Sequence, residues 1–222
     1  MEERTRPLGR PRSEDARLAV LRAVDDMLVE EGYAAMTMKG IAERAKVGRQ
    51  TVYRWWSSKA EILLEASAAD AARELTVKPG ASAEADVAAF LTALSSFLTT
   101  SDAGLAYRAL LGEAQHDQRV AELLRGTDVL GDAAREFIAG LRDRGALAAR
   151  AAGAGDAGDR GEDRGGDRGG DRAAGEVAEC GAGSDAALAA ELVGPTLFRT
   201  LVEGWAGEPA GIREMATRFL AR

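Results

Sequence analysis

Between Thr37 and Trp56 the chain has room for two helices of about two turns each, and only Lys46-Val47-Gly48 stands between them. In "TMKGIAERA" Thr37 is placed to cap a helix that puts Ile41, Ala42 and Ala45 on one face. In "RQTVYRWW" a second short helix begins after the break. Two short helices joined by so tight a turn cannot bury their apolar faces alone and need a third. "SEDARLAVLRAVDDMLVEEGY" supplies it: Ser13 as cap, Leu18, Leu21, Val24 and Leu28 at spacings of three and four, and Gly32 as the stop. Residues 13–57 therefore read as three helices in the organisation of a helix-turn-helix module. "SSKAEILLEA" then opens a fourth helix with a capping box, Ser58 with Glu61.

The second short helix has two faces. At about 100° per residue, Val52 and Trp56 fall within about 40° of each other and face inward. Gln50 and Arg54 point the opposite way, with Thr51 and Tyr53 flanking them and Trp55 at the edge. No acid occurs from Gly48 to Ala60. Arg can bond guanine bidentately, Gln can do the same with adenine, and Thr can touch a thymine methyl or a phosphate. Tyr53, Lys59 and Thr37 stand at element ends, where hydroxyl and ammonium groups hold phosphates. A merely solvated face would also be polar, but the lack of acids and the paired short helices favour DNA.

Charge supports this placement. The chain carries a net −7, yet residues 1–60 sum to +3 and the remainder to −10. The arm "RTRPLGRPR" holds four arginines; it is read either as an insertion into a narrow minor groove or as a tail adding diffuse attraction.

"TMKGIAERAKVGRQTVYRWWSSKAEIL" resembles the DNA-binding region of the tetracycline-repressor (TetR) family of bacterial regulators. The likeness rests on the Gly-Tyr after the first helix, Thr37, Ile41-Ala42, Val47, the Thr-x-Tyr at Thr51 and Tyr53, and the Ser-Lys at Ser58 and Lys59. It implies DNA contacts from Thr37, Thr51, Tyr53 and Lys59, with Arg49, Gln50, Arg54 and Trp55 at variable contact positions; Lys39 is counted with them. Trp56 takes the family's buried aromatic position. Two residues depart from the pattern: Lys46 stands where glycine is common and should accept positive φ, and Gly48 replaces the usual Ser or Thr cap.

Beyond residue 60 all readable segments are helical, at about 59–76, 84–100, 103–115, 117–144, 185–205 and 209–221. Scarce aromatics, 5% of residues, and abundant alanine favour close-packed helices over sheets. Residues 151–184, with eleven glycines and a "DRGGDRGGDR" repeat, read as a disordered loop that offers too little apolar surface to fold. The expected fold is all-α, with residues 1–60 as arm and DNA-binding domain and 61–222 as a larger regulatory and dimerisation domain.

The composition argues against other classes. One cysteine, Cys180, excludes an intramolecular disulfide framework and a cysteine-based zinc site, and one histidine, His116, leaves no nucleophile pair with a second metal-binding His. "GGDRGG" lacks the strand and helix of a phosphate loop. No enzyme, cofactor or metal is expected. No apolar run approaches a membrane span and the N-terminus shows no secretory pattern, so the expected location is the cytoplasm.

The resemblance implies a ligand-responsive repressor that binds a palindromic operator as a homodimer through its last two helices. A small effector would bind among the helices between about 59 and 144 and move the one opening at Ser58. Phe90, Phe97, Tyr107, Phe137 and Phe198 are its candidate pocket residues, each equally suited to core packing. An architectural DNA-binding protein without a ligand would share the same first 60 residues.

Overall fold

Helical periodicity along the sequence becomes ten α-helices among the described residues of the computed structural model, which comprise 10–147 and 173–221, with side chains for 14–147 and 185–221. The first four are α1 (Arg10–Glu31), α2 (Met38–Arg44), α3 (Arg49–Trp55) and α4 (Lys59–Glu74). The larger part holds α5 (Ala83–Thr100), α6 (Asp102–Glu113), α7 (Gln118–Gly126), α8 (Val129–Asp143), α9 (Ala173–Val202) and α10 (Pro209–Leu220). No strand occurs among the described residues, and the fold is all-α.

The helices start where small polar side chains can bond free backbone N–H groups. Ser58 Oγ accepts from the Glu61 N–H at 3.2 Å, and Ser82 Oγ accepts from the Ala85 N–H at 3.2 Å. The Glu61 carboxylate reaches back past Ser58 to accept from the Ser57 N–H at 2.6 Å. His116 lies exposed between α6 and α7, and its neighbour Asp117 caps α7 by accepting from the Arg119 N–H at 2.8 Å.

Four boundaries differ from the sequence expectation. α1 begins at Arg10, ahead of the start expected at Ser13. The stretch expected as one helix over 117–144 is two, because Asp128 caps a fresh start by accepting from the Gly131 N–H at 3.1 Å. The loop expected over 151–184 lies outside the described residues up to 172, while its last part belongs to α9, which begins at Ala173. Extending a formed helix through alanine and glutamate avoids a new nucleation step. The helix expected to run to 205 ends at Val202, and Gly204 and Gly207 beyond it take positive φ of 68° and 87°.

One apolar core runs from Val20 in α1 to Phe219 in α10. α5 is its spine: Val87, Phe90, Leu91, Leu94, Phe97 and Leu98 are all buried, and it packs on α6, α9 and α10. α4 joins the two ends of the molecule, touching α1 on one side and α6 and α8 on the other.

Candidate nucleic-acid interface

The turn between α2 and α3 sets the direction in which α3 leaves the module. Thr37 Oγ1 accepts from the Gly40 N–H at 3.0 Å and fixes the start of α2. Lys46 then adopts φ 55°, the left-handed conformation expected of it. The Val47 N–H closes on the Ala42 carbonyl at 3.1 Å. Gly48 caps α3 without a side-chain bond.

α3 divides by direction. Val52 is fully buried. Arg49, Gln50, Tyr53 and Arg54 are exposed, Tyr53 at 56%, and Thr51 is half-buried. Trp56 is buried for a different reason than a helical wheel gives: the helix ends at Trp55, and Trp56 leaves it in extended conformation with φ −134°. Its indole N–H donates to Glu65 Oε2 of α4 at 2.7 Å. Trp55 is half-buried, meets Trp56 edge-on at 5.4 Å, and carries the Arg54 guanidinium 5.3 Å from its ring centre.

The cations around α3 differ in freedom. Among the described residues Arg49, Arg54 and Lys46 enter no ion pair, whereas Arg44 is tied to Glu30 of α1 at 2.5 Å and Lys39 lies 3.7 Å from Glu43. Lys59 turns inward: its ammonium donates to the Tyr33 carbonyl at 2.8 Å and lies 4.0 Å from the Tyr33 ring centre. Burial pushes the Lys59 ammonium below its usual range. The structure therefore brings Arg49, Gln50, Tyr53 and Arg54 onto one exposed face, with Thr51 at its edge. Thr37 and Lys39 stand at the start of α2, and Lys59 is set apart from that face. Sequence reading passed over Glu65, which lies nine residues beyond Trp56 on the next helix, where no local spacing signals the contact.

The five candidate pocket aromatics do not share one cavity. Phe90 is fully buried and stacks on Phe137 at 4.6 Å, and Tyr107 is buried in the core. Phe97 lines an open cleft of about 550 Å³ with Asp25, Asp70, Glu74 and Asp102, while Phe137 lines a smaller cavity of about 130 Å³ beside Leu75 and Arg144. Phe198, at 57% exposure, faces outward from α9 and lines neither of these cavities. A third cleft, about 680 Å³, lies between the module and α7, lined by Tyr33, Lys59, Glu113 and Asp117. Among the described residues no group of His, Cys, Asp or Glu is arranged to hold a metal ion.

Residues 20–66 match the family of bacterial regulatory proteins known as tetR, over the three helices and turn just described. In this stretch the chain is similar to the DNA-binding region of the tetR family. YdeS of Bacillus subtilis (strain 168), an uncharacterized HTH-type transcriptional regulator, is 39% identical over 117 residues, which are 53% of this chain and 59% of that protein. The match thus spans less than two thirds of that relative's length. Solved structures of tetR-family fold align over nearly the whole chain. The TetR family transcription regulator SCO0332 has a TM-score of 0.65 at 22% identity, covering 93% of this chain and 97% of its own. FadR of Thermus thermophilus, a TetR-family repressor solved in complex with lauroyl-CoA, has a TM-score of 0.55 at 16% identity, covering 92% and 93%. Identities this low establish the shared fold alone.

Proposed function

We propose that the protein is a transcriptional regulator that binds a palindromic duplex as a homodimer and leaves it when a small effector binds. The observation that carries this reading is the outer face of α3. Arg49, Gln50, Tyr53 and Arg54 stand exposed on a helix held from behind by Val52 and Trp56, and no ion pair among the described residues neutralises either arginine. Such side chains on a helix of this module match the donor and acceptor pattern of major-groove base edges. Thr37, Thr51 and Lys46 are suited to the flanking phosphates.

Homodimer formation is supported by the outer side of α9, where Phe198, Leu201 and Val202 lie exposed, Val202 at 68%. Two-fold symmetry would place one α3 in each half-site. Effector control is supported by α4, which touches both the module and α6 and α8, and by the lauroyl-CoA bound to the Thermus thermophilus relative. A site in the cytoplasm, without catalysis, fits this role; among the described residues no helix is long and apolar enough to cross a membrane.

The test is enrichment of bound DNA from a library of duplexes with a randomised core. A palindromic sequence bound by the dimer is expected. Binding without sequence preference would favour the architectural reading, and absence of binding would reject both.

A further inference from the structure

The tryptophan pair at the end of α3 does more than pack. Trp56 is held by a directional contact, its indole N–H on Glu65 Oε2 at 2.7 Å. The other oxygen of that carboxylate pairs with Arg17 of α1, whose guanidinium also bonds Glu14 at 2.9 Å. On the far side the Trp55 and Trp56 rings meet at 88°, and the Arg54 guanidinium lies over Trp55. These contacts make one continuous chain, Arg17–Glu65–Trp56–Trp55–Arg54, from α1 and α4 to an exposed head group on α3.

Each link constrains the next. A phenyl ring would keep most of the apolar contact of the Trp56 site, but only an indole N–H on a carboxylate also fixes how the ring is turned, because charge-assisted bonds are short and directional. Edge-to-face packing transmits that orientation to Trp55. The Trp55 face then limits where the guanidinium of Arg54 can lie, so less side-chain freedom is lost on binding.

We infer that Glu65 is a positioning residue for Arg54, and that the two tryptophans carry its effect from α4 to the DNA-reading face. This rests on the reading of α3 as the helix that meets DNA. It has a regulatory consequence: a shift of α4 that draws Glu65 from Trp56 releases the platform under Arg54. Effector binding would then change base preference as well as the spacing of the two half-sites.

The experiment uses the full chain and the randomised duplex library, with thermal melting of every variant. Trp56→Phe and Glu65→Ala should each lose roughly two- to fivefold in affinity for the sequence the parent enriches, about the worth of the cation–π contact. Both should relax preference at the same base position as Arg54→Ala. Glu65→Gln keeps an acceptor for the indole and should retain the preference. In an Arg54→Ala background, Glu65→Ala should cost nothing further. An equal loss for all sequences with preference intact would mean a purely structural role and overturn the inference, as would unchanged binding in both single variants. If Glu65→Ala does not fold, Trp56→Phe decides alone. A parent that enriches no sequence would instead sink the reading of α3 itself.

Discussion

Lys59 and Tyr33 hold each other across the junction between the end of α1 and the start of α4: the ammonium donates to the Tyr33 carbonyl at 2.8 Å and caps the ring at 4.0 Å. A residue that sequence assigns to DNA is thus also a structural tie. Lys59→Ala should lower stability by about 1 kcal/mol, the usual net worth of such a bond, and weaken DNA binding alike across sequences. Arg54→Ala, at an exposed position, should leave the melting temperature nearly unchanged while costing about 1–3 kcal/mol in binding at one base position. Melting curves and gel shifts at several salt concentrations separate the two; equal melting temperatures for both variants would deny Lys59 its structural part.

Lys46 holds φ 55° in the turn between α2 and α3. Left-handed backbone costs an L-residue roughly 1–2 kcal/mol, and glycine avoids most of it. Lys46→Gly should therefore stabilise the fold by roughly 0.5–1 kcal/mol, after the extra entropy of glycine in the unfolded chain is set against it. A loss of stability in urea titration would show that the lysine side chain contributes more than its backbone costs.

Asp25 of α1 faces the cleft shared with α4 and α6. Its pKa is pushed up to about 6, first by burial and then by the carboxylates of Asp70, Asp26 and Asp102, with Arg73 acting in the other direction. The folded chain thus keeps a proton that the unfolded chain has released. The associated stability is complete below about pH 4 and is lost as pH rises through about 6. Asp25→Asn should therefore stabilise the protein at pH 7–8 by about 1 kcal/mol, allowing for solvent screening at a half-exposed site, with the gain vanishing toward pH 4. Melting temperatures across that range check the sign; a gain that grows as pH falls would contradict it.

Two glycines of α6 should respond oppositely to alanine. At Gly104 an added Cβ would lie 1.7 Å from the Phe97 carbonyl oxygen, backbone of the neighbouring α5. Gly104→Ala should cost about 2–4 kcal/mol, since neither helix can yield without losing core contacts. At Gly112 a Cβ meets nothing within 4 Å, so Gly112→Ala should stabilise by roughly 0.5 kcal/mol through helix propensity. Denaturant midpoints of the two variants on the same side of the parent would refute the packing argument.

The exposed Phe198 and Val202 of α9 bear on assembly. Phe198→Glu with Val202→Glu should shift sedimentation from dimer to monomer while leaving helical circular dichroism intact, because buried like charges oppose a symmetric contact. A dimer that persists unchanged would place the interface elsewhere.

Much of the outer face of α3 is a local property, and sequence determined it. Thr37, the Lys46-Val47-Gly48 break and Ser58 bound helices through bonds to neighbours three to five residues away. The alternation of Val52 with Arg49, Gln50, Tyr53 and Arg54 fixes which side of α3 faces outward. The all-helical class followed in the same way from spacing and composition. What lay outside that reach depends on residues far apart in the chain. The direction of Lys59 is set by a carbonyl 26 positions earlier, and that of Trp56 by a carboxylate on the next helix. Phe90 and Phe97 are core while Phe198 is surface, although all three fit helical patterns equally well. A helical repeat defines an apolar side but not what covers it, and only the packing of α5, α9 and α10 decided which of those rings water would reach.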